Sequence, residues 1–419
     1  TPFGSFIVIV IMILLDVYVF MAIKSVSHSA SSKMRAFLFS AYWMVSVIAI
    51  VGLLIFIFTG PDFLPKKVRT YLFASILAFV FAQLVSTVFF LIDDIRRLIQ
   101  WIAAKVFFRD TEISTMSGDG ISRSVFLSWL GLAAGTTFFG NLIYGFSNKY
   151  NYTVKRIKLP FDNLPPGFNG VKIVHFSDVH SGSFTNKKAV ERGVQMIIAE
   201  KGDIVIFSGD LVNDRATEMK DYMDVFNKVK APMGVYSTFG NHDYGEYVNW
   251  PIDGVTKAQN LINLAKIHAE MGWRLMMDEH IELERNGDKI ALIGIQNWSA
   301  KARFPKYGDM KKAYAGAEKY PFKILISHDP SHWDAQVRPE YSDVDLTLSG
   351  HTHGMQFGVD IPGFKWSPVQ YMYKEWDGLY EEGKQKLYVN PGFGFIGYPG
   401  RVGILPEITV IELVNNKMA

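Results

Sequence analysis

Four long apolar stretches occupy the first 150 residues of the chain. Three of them contain no charged residue, and the first is interrupted only by Asp16. An α-helix needs about 20 residues to cross the hydrocarbon core of a membrane, and each stretch is long enough. The pattern predicts four transmembrane helices, at Phe3–Ile23, Ala36–Thr59, Tyr71–Ile92 and Ser124–Asn148. A carboxylate facing lipid is costly, so we expect Asp16 to point into the bundle and pair with a polar group.

Asp94–Phe108, which lies between the third and fourth stretches, has a different pattern. Its charged and apolar residues separate onto two faces at helical spacing. This pattern predicts an amphipathic helix lying in the membrane interface. A basic helix that binds calmodulin or nucleic acid is a weaker interpretation, because membrane-spanning segments flank it on both sides.

Beyond residue 150 the apolar residues form short runs rich in Val, Ile and Phe, which is typical of buried strands. The predicted strands are Val171–Phe176, Ile204–Phe207, Val235–Phe239, Lys289–Ile295, Phe322–Ile326, Val344–Leu348, Lys386–Val389 and Ile408–Leu413. Helical patterns lie between them at Lys187–Glu200, Glu218–Val229 and Thr256–Met271. Alternating strands and helices predict an α/β fold. We therefore predict a transmembrane domain over 1–150 and an α/β domain over 151–419, joined by a Pro- and Gly-containing linker at Ser147–Gly170.

Five polar motifs follow five of these strands directly. They are Asp178-Val179-His180, Gly209-Asp210, Gly240-Asn241-His242-Asp243, Ser327-His328-Asp329 and Gly350-His351-Thr352-His353. Loops at strand ends can hold several side chains around one point on a rigid sheet. Carboxylate, imidazole and amide groups together suit divalent cations such as Mn, Fe or Zn. The motifs therefore predict a site for two metal ions.

In this order, the five motifs resemble those of the calcineurin-like metallophosphoesterase superfamily: D-x-H, G-D, G-N-H-[DE], a lone His and G-H-x-H. The resemblance covers roughly Val171–Leu413. It implies two packed mixed β-sheets flanked by helices, and a hydrolase that cleaves phosphoester bonds.

The same resemblance implies a role for each motif residue. One metal would be held by Asp178, His180, Asp210 and His353, and the other by Asp210, Asn241, His328 and His351, with Asp210 bridging both. A metal-bound water that loses its proton near neutral pH would be the nucleophile. His242 would protonate the leaving oxygen, and Asp243 would orient the His242 ring.

The substrate class follows from a narrower resemblance. Gly209–Arg215 reads G-D-L-V-N-D-R, which departs from the G-D-x-V-D-R-G of Ser/Thr protein phosphatases. Leu387–Thr409 and Ser327–Pro330 are similar to the bacterial membrane-linked YaeI/YkuE-type phosphoesterases. This similarity implies a phosphoester or pyrophosphate of a membrane lipid or envelope component. A cytoplasmic-facing pyrophosphatase of the UDP-diacylglucosamine type is the alternative.

Three further residues are weaker candidates for binding substrate. Arg401 could contact a phosphate or pair with a carboxylate. Tyr398 belongs to a glycine-rich segment with Phe393 and Phe395, and this segment could either line the site or pack its aromatic rings into the core; the core is favoured. His332 lies four residues beyond His328 and could contact substrate. The histidines outside the motifs are otherwise expected to be structural: His175, His268 and His280.

Charge restricts the partners. Residues 1–150 carry 12 Lys+Arg against 7 Asp+Glu, and residues 151–419 carry 31 against 33. A slightly acidic second domain argues against nucleic acid as a partner. The bilayer and a lipid or lipid-linked phosphate are the predicted partners. Inactive receptors, scaffolds and transporters are the non-hydrolytic alternatives, and the complete ligand set argues against a disused site.

Orientation follows from the charges of the loops. The first and third loops carry more Lys and Arg than the second, so the positive-inside rule makes them cytoplasmic and places the α/β domain outside. Ser122–Leu127, S-R-S-V-F-L, also resembles a degenerate twin-arginine export signal. We therefore predict a multi-pass protein of the bacterial inner membrane with a periplasmic catalytic domain.

Overall fold

Residues 2–59, 63–107 and 123–418 are described by the computed structural model of the chain. The chain forms two compact units, Thr1–Tyr144 and Gly145–Ala419. The predicted domain division at residue 150 therefore lies a few residues inside the second unit.

Four long helices make up nearly all of the described residues up to Asn148: α1 (Pro2–Val26), α2 (Ser32–Thr59), α3 (Lys66–Phe107) and α4 (Arg123–Asn148). All four are long and apolar enough to cross a membrane, and each contains one of the predicted spans. Helix α1 packs against both α2 and α3. The prediction of four apolar membrane-spanning helices is confirmed.

Asp16 is buried among these helices, where it accepts hydrogen bonds from the hydroxyl of Ser46 and the side-chain amide of Gln83. The Tyr42 hydroxyl lies against the same carboxylate. The expected polar pairing of Asp16 is therefore confirmed. Such pairing lowers the cost of keeping a carboxylate inside an apolar bundle.

The separate interfacial helix predicted at Asp94–Phe108 is wrong as an independent element. Helix α3 continues without interruption to Phe107, so its 42 residues extend about 63 Å at 1.5 Å per residue. The segment contains no Gly or Pro to break the helix, and Arg96 is bound to Asp93 and Gln100 one turn away on either side. Phe108, the last residue of the predicted interfacial helix, and Ser122, the first residue of the segment that resembles an export signal, lie outside the described residues.

The second unit contains strands β1 to β14 and helices α5 to α9. The strands are β1 (Thr153–Phe161), β2 (Lys172–Phe176), β3 (Ile204–Phe207), β4 (Val235–Ser237), β5 (Arg274–Leu275), β6 (Glu279–Arg285), β7 (Asp288–Gly294), β8 (Lys323–Ile326), β9 (Leu346–Ser349), β10 (Val359–Ile361), β11 (Phe364–Trp366), β12 (Gly378–Glu382), β13 (Gln385–Val389) and β14 (Glu407–Asn415). The helices are α5 (Lys187–Ala199), α6 (Met223–Phe226), α7 (Lys257–Glu270), α8 (Met310–Tyr314) and α9 (Arg338–Glu340).

Twelve of these strands form two six-stranded mixed sheets, in the orders β1-β14-β2-β3-β4-β5 and β12-β13-β9-β8-β7-β6. Fully buried aliphatic side chains of both sheets, including Ile173, Ile206, Ile324 and Leu348, share one core cluster between them. A second cluster covers the outer side of the first sheet with side chains of α5, α6 and α7. The predicted α/β fold of two packed mixed sheets flanked by helices is confirmed.

The linker predicted at Ser147–Gly170 is wrong, because most of it is folded. Strand β1 pairs in parallel with β14 over nine residues. Just before it, the ring of Tyr152 stacks on Phe393 at 4.4 Å between centroids. The prolines suggested a linker, but Pro160 lies in a strand at the edge of the sheet, where a missing N–H is tolerated. The helix predicted at Glu218–Val229 is also interrupted, and only the short α6 and a 3₁₀ turn form there.

The first prediction tests whether the segment before β1 belongs to the core. Tyr152→Ala should lower the free energy of unfolding by about 3 kcal/mol or more, since it removes a buried aromatic ring. Tyr152→Phe is the matched control. It should change stability by less than about 1 kcal/mol, because the buried Tyr152 hydroxyl has no hydrogen-bond partner among the described residues. Thermal unfolding of the detergent-purified protein measures both changes in stability. Equally small effects of the two substitutions would indicate that the segment before β1 is a linker, as first predicted.

Candidate metal centre

The five predicted motifs begin at the carboxyl ends of five parallel-paired strands. β2, β3 and β4 are neighbours in the first sheet, and β8 and β9 are neighbours in the second. Because parallel strands end at the same edge of a sheet, their following loops meet there. The two packed sheets thus bring all five motifs to one place.

One cluster consists of Asp178, His180 and His353, all buried, with one ligand atom from each within 4.8 Å of the others. Nε2 of His353 lies 3.3 Å from Oδ1 of Asp178 and 3.0 Å from Nε2 of His180. Two imidazole nitrogens and a carboxylate facing one another are the donor set of a divalent cation.

A second cluster consists of Asp210, His328 and His351, with ligand atoms equally close. Oδ2 of Asp210 lies 3.2 Å from Nε2 of His328 and 3.5 Å from Nε2 of His180, so this carboxylate faces both clusters. The side-chain oxygen of Asn241 lies 2.8 Å from Nδ1 of His351. The structure therefore brings together all seven residues that the sequence predicted as metal ligands.

The outer nitrogens of two of these histidines are held in place. Nδ1 of His328 is hydrogen-bonded to the carbonyl of Ser208 at 2.8 Å, which turns Nε2 inward. Nε2 of His351 is bonded to the Tyr373 hydroxyl at 2.8 Å, which turns Nδ1 inward. Metal-binding histidines are oriented in this way through their second nitrogen. The residues present therefore fit two divalent cations.

The protonation states of two candidate ligand histidines suit metal binding. Burial lowers the pKa of His180 to about 3 and that of His351 to about 4, so both imidazoles are neutral at pH 7. Burial opposes the charge of Asp210, but His328 beside it more than offsets this and holds the Asp210 pKa well below its ordinary value. Burial also opposes the charge of His328, but the Asp210 carboxylate raises the His328 pKa to about 10. The site therefore offers neutral imidazoles at His180 and His351 beside an ion pair of His328 and Asp210.

Five of the candidate ligands have left-handed backbone conformations, which are unfavourable for residues other than glycine. Their φ angles lie between 48° and 73°, at Asp178, His180, Asp210, His351 and His353. The loops are held in these conformations by hydrogen bonds. For example, the N–H of His351 donates to the Asp178 carboxylate at 3.0 Å, which ties the first motif to the last.

Asp243 has a different role from the predicted one. Its carboxylate accepts hydrogen bonds from four backbone N–H groups, those of Asp210 and Leu211 at 2.8 Å, Gly240 at 2.9 Å and Val212 at 3.2 Å. It therefore ties the loop after β3 to the loop after β4 and fixes the backbone of Asp210. The His242 ring is oriented instead by the carbonyl of Asn213, which accepts from Nδ1 at 2.8 Å.

Three supporting residues were given no role by the sequence analysis. Tyr373 bonds to His351 and donates to Asp329 at 3.3 Å. The Tyr247 hydroxyl accepts from the side-chain N–H of Asn241 at 2.8 Å, which leaves the amide oxygen for the cation. Asp329 belongs to the fourth motif, in which only His328 was given a role. The two tyrosines lie outside every motif, and only the fold brings them to the site.

The three weaker substrate-binding candidates have structural contacts. Arg401 is fully buried, and its guanidinium donates to the backbone carbonyls of Pro391, Gly392, Gly394 and His353. The guanidinium is therefore used by these carbonyls and not by the predicted phosphate or carboxylate. The ring of Tyr398 packs against Phe146 at 5.6 Å between centroids. His332 is buried between Ser327 and Gln336.

The remaining structural interpretations agree with the packing. Phe393 and Phe395 are buried in the core cluster outside the first sheet, as favoured. His175 is bonded to Ser208, His268 to Ser237 and His280 to the carbonyl of Ala313.

Two family matches cover most of the chain. Residues 3–149 match the transmembrane domain of probable calcineurin-like phosphoesterases, and residues 171–355 match the calcineurin-like phosphoesterase domain. The chain contains a calcineurin-like phosphoesterase domain behind a transmembrane domain found with such domains. The chain is thus a membrane protein with four apolar helices ahead of a metallophosphoesterase domain. Among the described residues of that domain, six of the seven candidate ligands form the two clusters.

Its relatives come from animals and bacteria. A transmembrane protein with metallophosphoesterase domain from Danio rerio is 30% identical over 61% of this chain and 56% of its own length. The uncharacterized metallophosphoesterase YkuE from Bacillus subtilis is 29% identical over 60% of this chain and 81% of its own. The uncharacterized metallophosphoesterase Cj0846 from Campylobacter jejuni is 26% identical over 66% of this chain and 67% of its own length. The chain spans just over half the length of the vertebrate relatives it matches.

The second prediction concerns the carboxylate that faces both clusters. Asp210→Asn should lose divalent metal from both, because a neutral amide bridges two cations poorly. Asp178→Asn is the matched control, since it alters only the first cluster and should keep metal in the second. Elemental analysis of the purified variants measures both, and a fully metal-loaded Asp210→Asn protein would contradict the shared role.

Proposed function

We propose that the protein is a two-metal hydrolase acting on a phosphoester or pyrophosphate of a membrane lipid or envelope component. The observation that carries this proposal is the position of Asp210 between two buried clusters, with the His242 ring 4.9 Å from that of His180. A shared carboxylate suits cations about 3.5–4 Å apart, the spacing found in two-metal phosphoesterases.

In this proposal the residues divide between two ions of Mn, Fe or Zn as the family resemblance implies. The first would be held by Asp178, His180, Asp210 and His353, and the second by Asp210, Asn241, His328 and His351. Bound there, two divalent ions would neutralise the phosphoryl oxygens and lower the pKa of the attacking water. The protein contributes the rigid, buried arrangement of these side chains.

His242 is the proposed proton donor to the leaving oxygen. Nδ1 must carry a proton to donate to the Asn213 carbonyl, so Nε2 is the nitrogen left to exchange a proton with substrate. Tyr247 supports the His242 ring at 4.4 Å between centroids, and the backbone N–H of His242 donates to Asp210. The ring is therefore positioned relative to the shared carboxylate.

A membrane-bound substrate is supported by the short connection from α4. Only residues 149–152 separate the end of α4 at Asn148 from β1 at Thr153. Within the second unit, the last turn of α4 is itself fixed, since the Gly145 carbonyl accepts from the Arg401 N–H at 2.9 Å. A domain attached so closely to a membrane-spanning helix stays near the lipid headgroups, which raises their effective concentration.

We further propose that the domain faces the periplasm of a bacterial cell. The loop charges support this orientation through the positive-inside rule. Arg109 and Ser122, which contribute to that argument, lie outside the described residues. The bilayer and a lipid-linked phosphate are the proposed partners, and nucleic acid is not.

The third prediction tests the proton donor. His242→Ala should retain its metals but lose about 10²–10⁴ in rate on esters with poor leaving groups. The loss should shrink for nitrophenyl esters, because nitrophenolate departs without protonation. Steady-state kinetics on paired substrates measures the difference. Equal losses on good and poor leaving groups would mean that His242 does something else.

The fourth prediction tests the orientation. An alkaline-phosphatase reporter fused after Ala419 should be active in bacterial cells, and a fluorescent protein that folds only in the cytoplasm should stay dark there. The reverse pattern would place the site in the cytoplasm and favour the UDP-diacylglucosamine type of substrate.

A further inference from the structure

The second unit concentrates its exposed apolar side chains in one short region. Of the eleven large apolar residues that are exposed in its described part, seven lie between Met355 and Leu379. We define the apolar patch as the five whose contacts are argued below: Met355, Ile361, Phe364, Tyr371 and Met372. Soluble surfaces rarely collect apolar side chains in this way unless they bind another apolar surface.

The tip of the β10–β11 hairpin is the most prominent part of the patch. Ile361 and Phe364 are paired across the hairpin, so their side chains lie on the same face, and they are 56% and 55% exposed. Pro362-Gly363 forms the turn, with Gly363 at φ +81° as a proline–glycine turn requires. The four tip residues contain no charge, and the nearest charged pair, Asp360 and Lys365, lies one step below.

The rest of the patch is joined to this hairpin. The indole N–H of Trp366 lies 3.5 Å from the hydroxyl of Tyr371, which is 77% exposed. The hydroxyl of Ser367 donates to the carbonyl of Gly354 at 2.9 Å, which connects the turn carrying Met355. Tyrosine and tryptophan are enriched where proteins meet the membrane interface.

The base of the hairpin is linked to the end of α4 through the backbone. Gly358 donates to the Val402 carbonyl, and Val402 donates to the Gln356 carbonyl, at 2.9 and 2.8 Å. The preceding residue, Arg401, donates its backbone N–H to the Gly145 carbonyl in the last turn of α4. Backbone hydrogen bonds of Val402 and Arg401 thus connect the start of the hairpin to the last turn of α4, where the chain leaves a membrane-spanning helix.

We propose that the apolar patch enters the interface of the lipid bilayer and holds the metal centre against the membrane surface. From Val359 to the turn, the hairpin extends roughly 10 Å at 3.3 Å per residue. This matches the roughly 5–10 Å by which interfacial elements enter the boundary between headgroups and acyl chains. The uncharged tip fits that layer.

The consequence for the metal centre is direct. Met355 lies two residues after His353, and Met372 precedes Tyr373, whose hydroxyl is bonded to His351. Membrane contact at the patch would thus bring both histidines of the last motif close to lipid phosphates. The purpose of this membrane contact rests on the proposed function. The contact itself does not depend on turnover.

The fifth prediction locates the hairpin tip by fluorescence. The 419 residues contain no cysteine, so Phe364→Cys provides a single thiol for an environment-sensitive label. Ile262→Cys, on α7 and 61% exposed, is the matched control. In vesicles of phosphatidylcholine and phosphatidylglycerol, the label at 364 should shift to the blue and be quenched by nitroxide on the acyl chains. The label at 262 should do neither.

Two results would overturn the proposal. The label at 364 could be as water-exposed as that at 262, or it could be shielded without quenching by lipid, which would indicate cover by protein such as a second copy. Hydrolysis of a nitrophenyl ester by the labelled full-length protein verifies its fold. A quenched label without hydrolysis of any vesicle lipid would support the membrane contact and contradict only the lipid substrate.

Discussion

The carboxylate of Asp210 lies between two clusters of candidate metal ligands, and this position depends on the arrangement of the whole second unit. Its Oδ2 atom lies within 3.5 Å of a histidine of each cluster. A carboxylate reaches only a few ångströms, so loops from two different sheets must end at the same point. Packing of the sheets through a shared apolar core brings the ends of β3 and β8 together, and the metal centre depends on that packing.

The loops that carry the ligands are held in unfavourable conformations by buried polar groups. Asp243 fixes the backbone at Asp210 through four N–H groups, and Arg401 fixes the opposite loops through four carbonyls. Strained backbone persists at functional sites when the surrounding structure over-determines it. Arg401 also bonds to Gly145, so the same residue connects the loops at the site to the last turn of α4.

Local signals were enough to predict the strands that end in the motifs and the four apolar helices, and the family resemblance of the motifs named the seven candidate ligands that the fold brings together. Interpretation failed where the outcome depended on long-range contacts. Pro160 suggested a linker. However, Pro160 lies in β1, and β1 belongs to the sheet because it pairs with β14, which is distant in sequence. Asp243 adjoins His242 in sequence and was assigned to its ring, yet its carboxylate serves the neighbouring loop. Tyr373 and Tyr247 could not be found without the fold, because no spacing connects them to the motifs.

The two-metal arrangement around Asp210 is the central claim, and the most direct test is an anomalous-difference map from crystals of the Mn-loaded protein. The account predicts two peaks about 3.5–4 Å apart, with the Asp210 carboxylate within bonding distance of both. One peak should be bound by Asp178, His180 and His353, and the other by Asn241, His328 and His351. A single peak, or two peaks with Asp210 bound to only one, would contradict it.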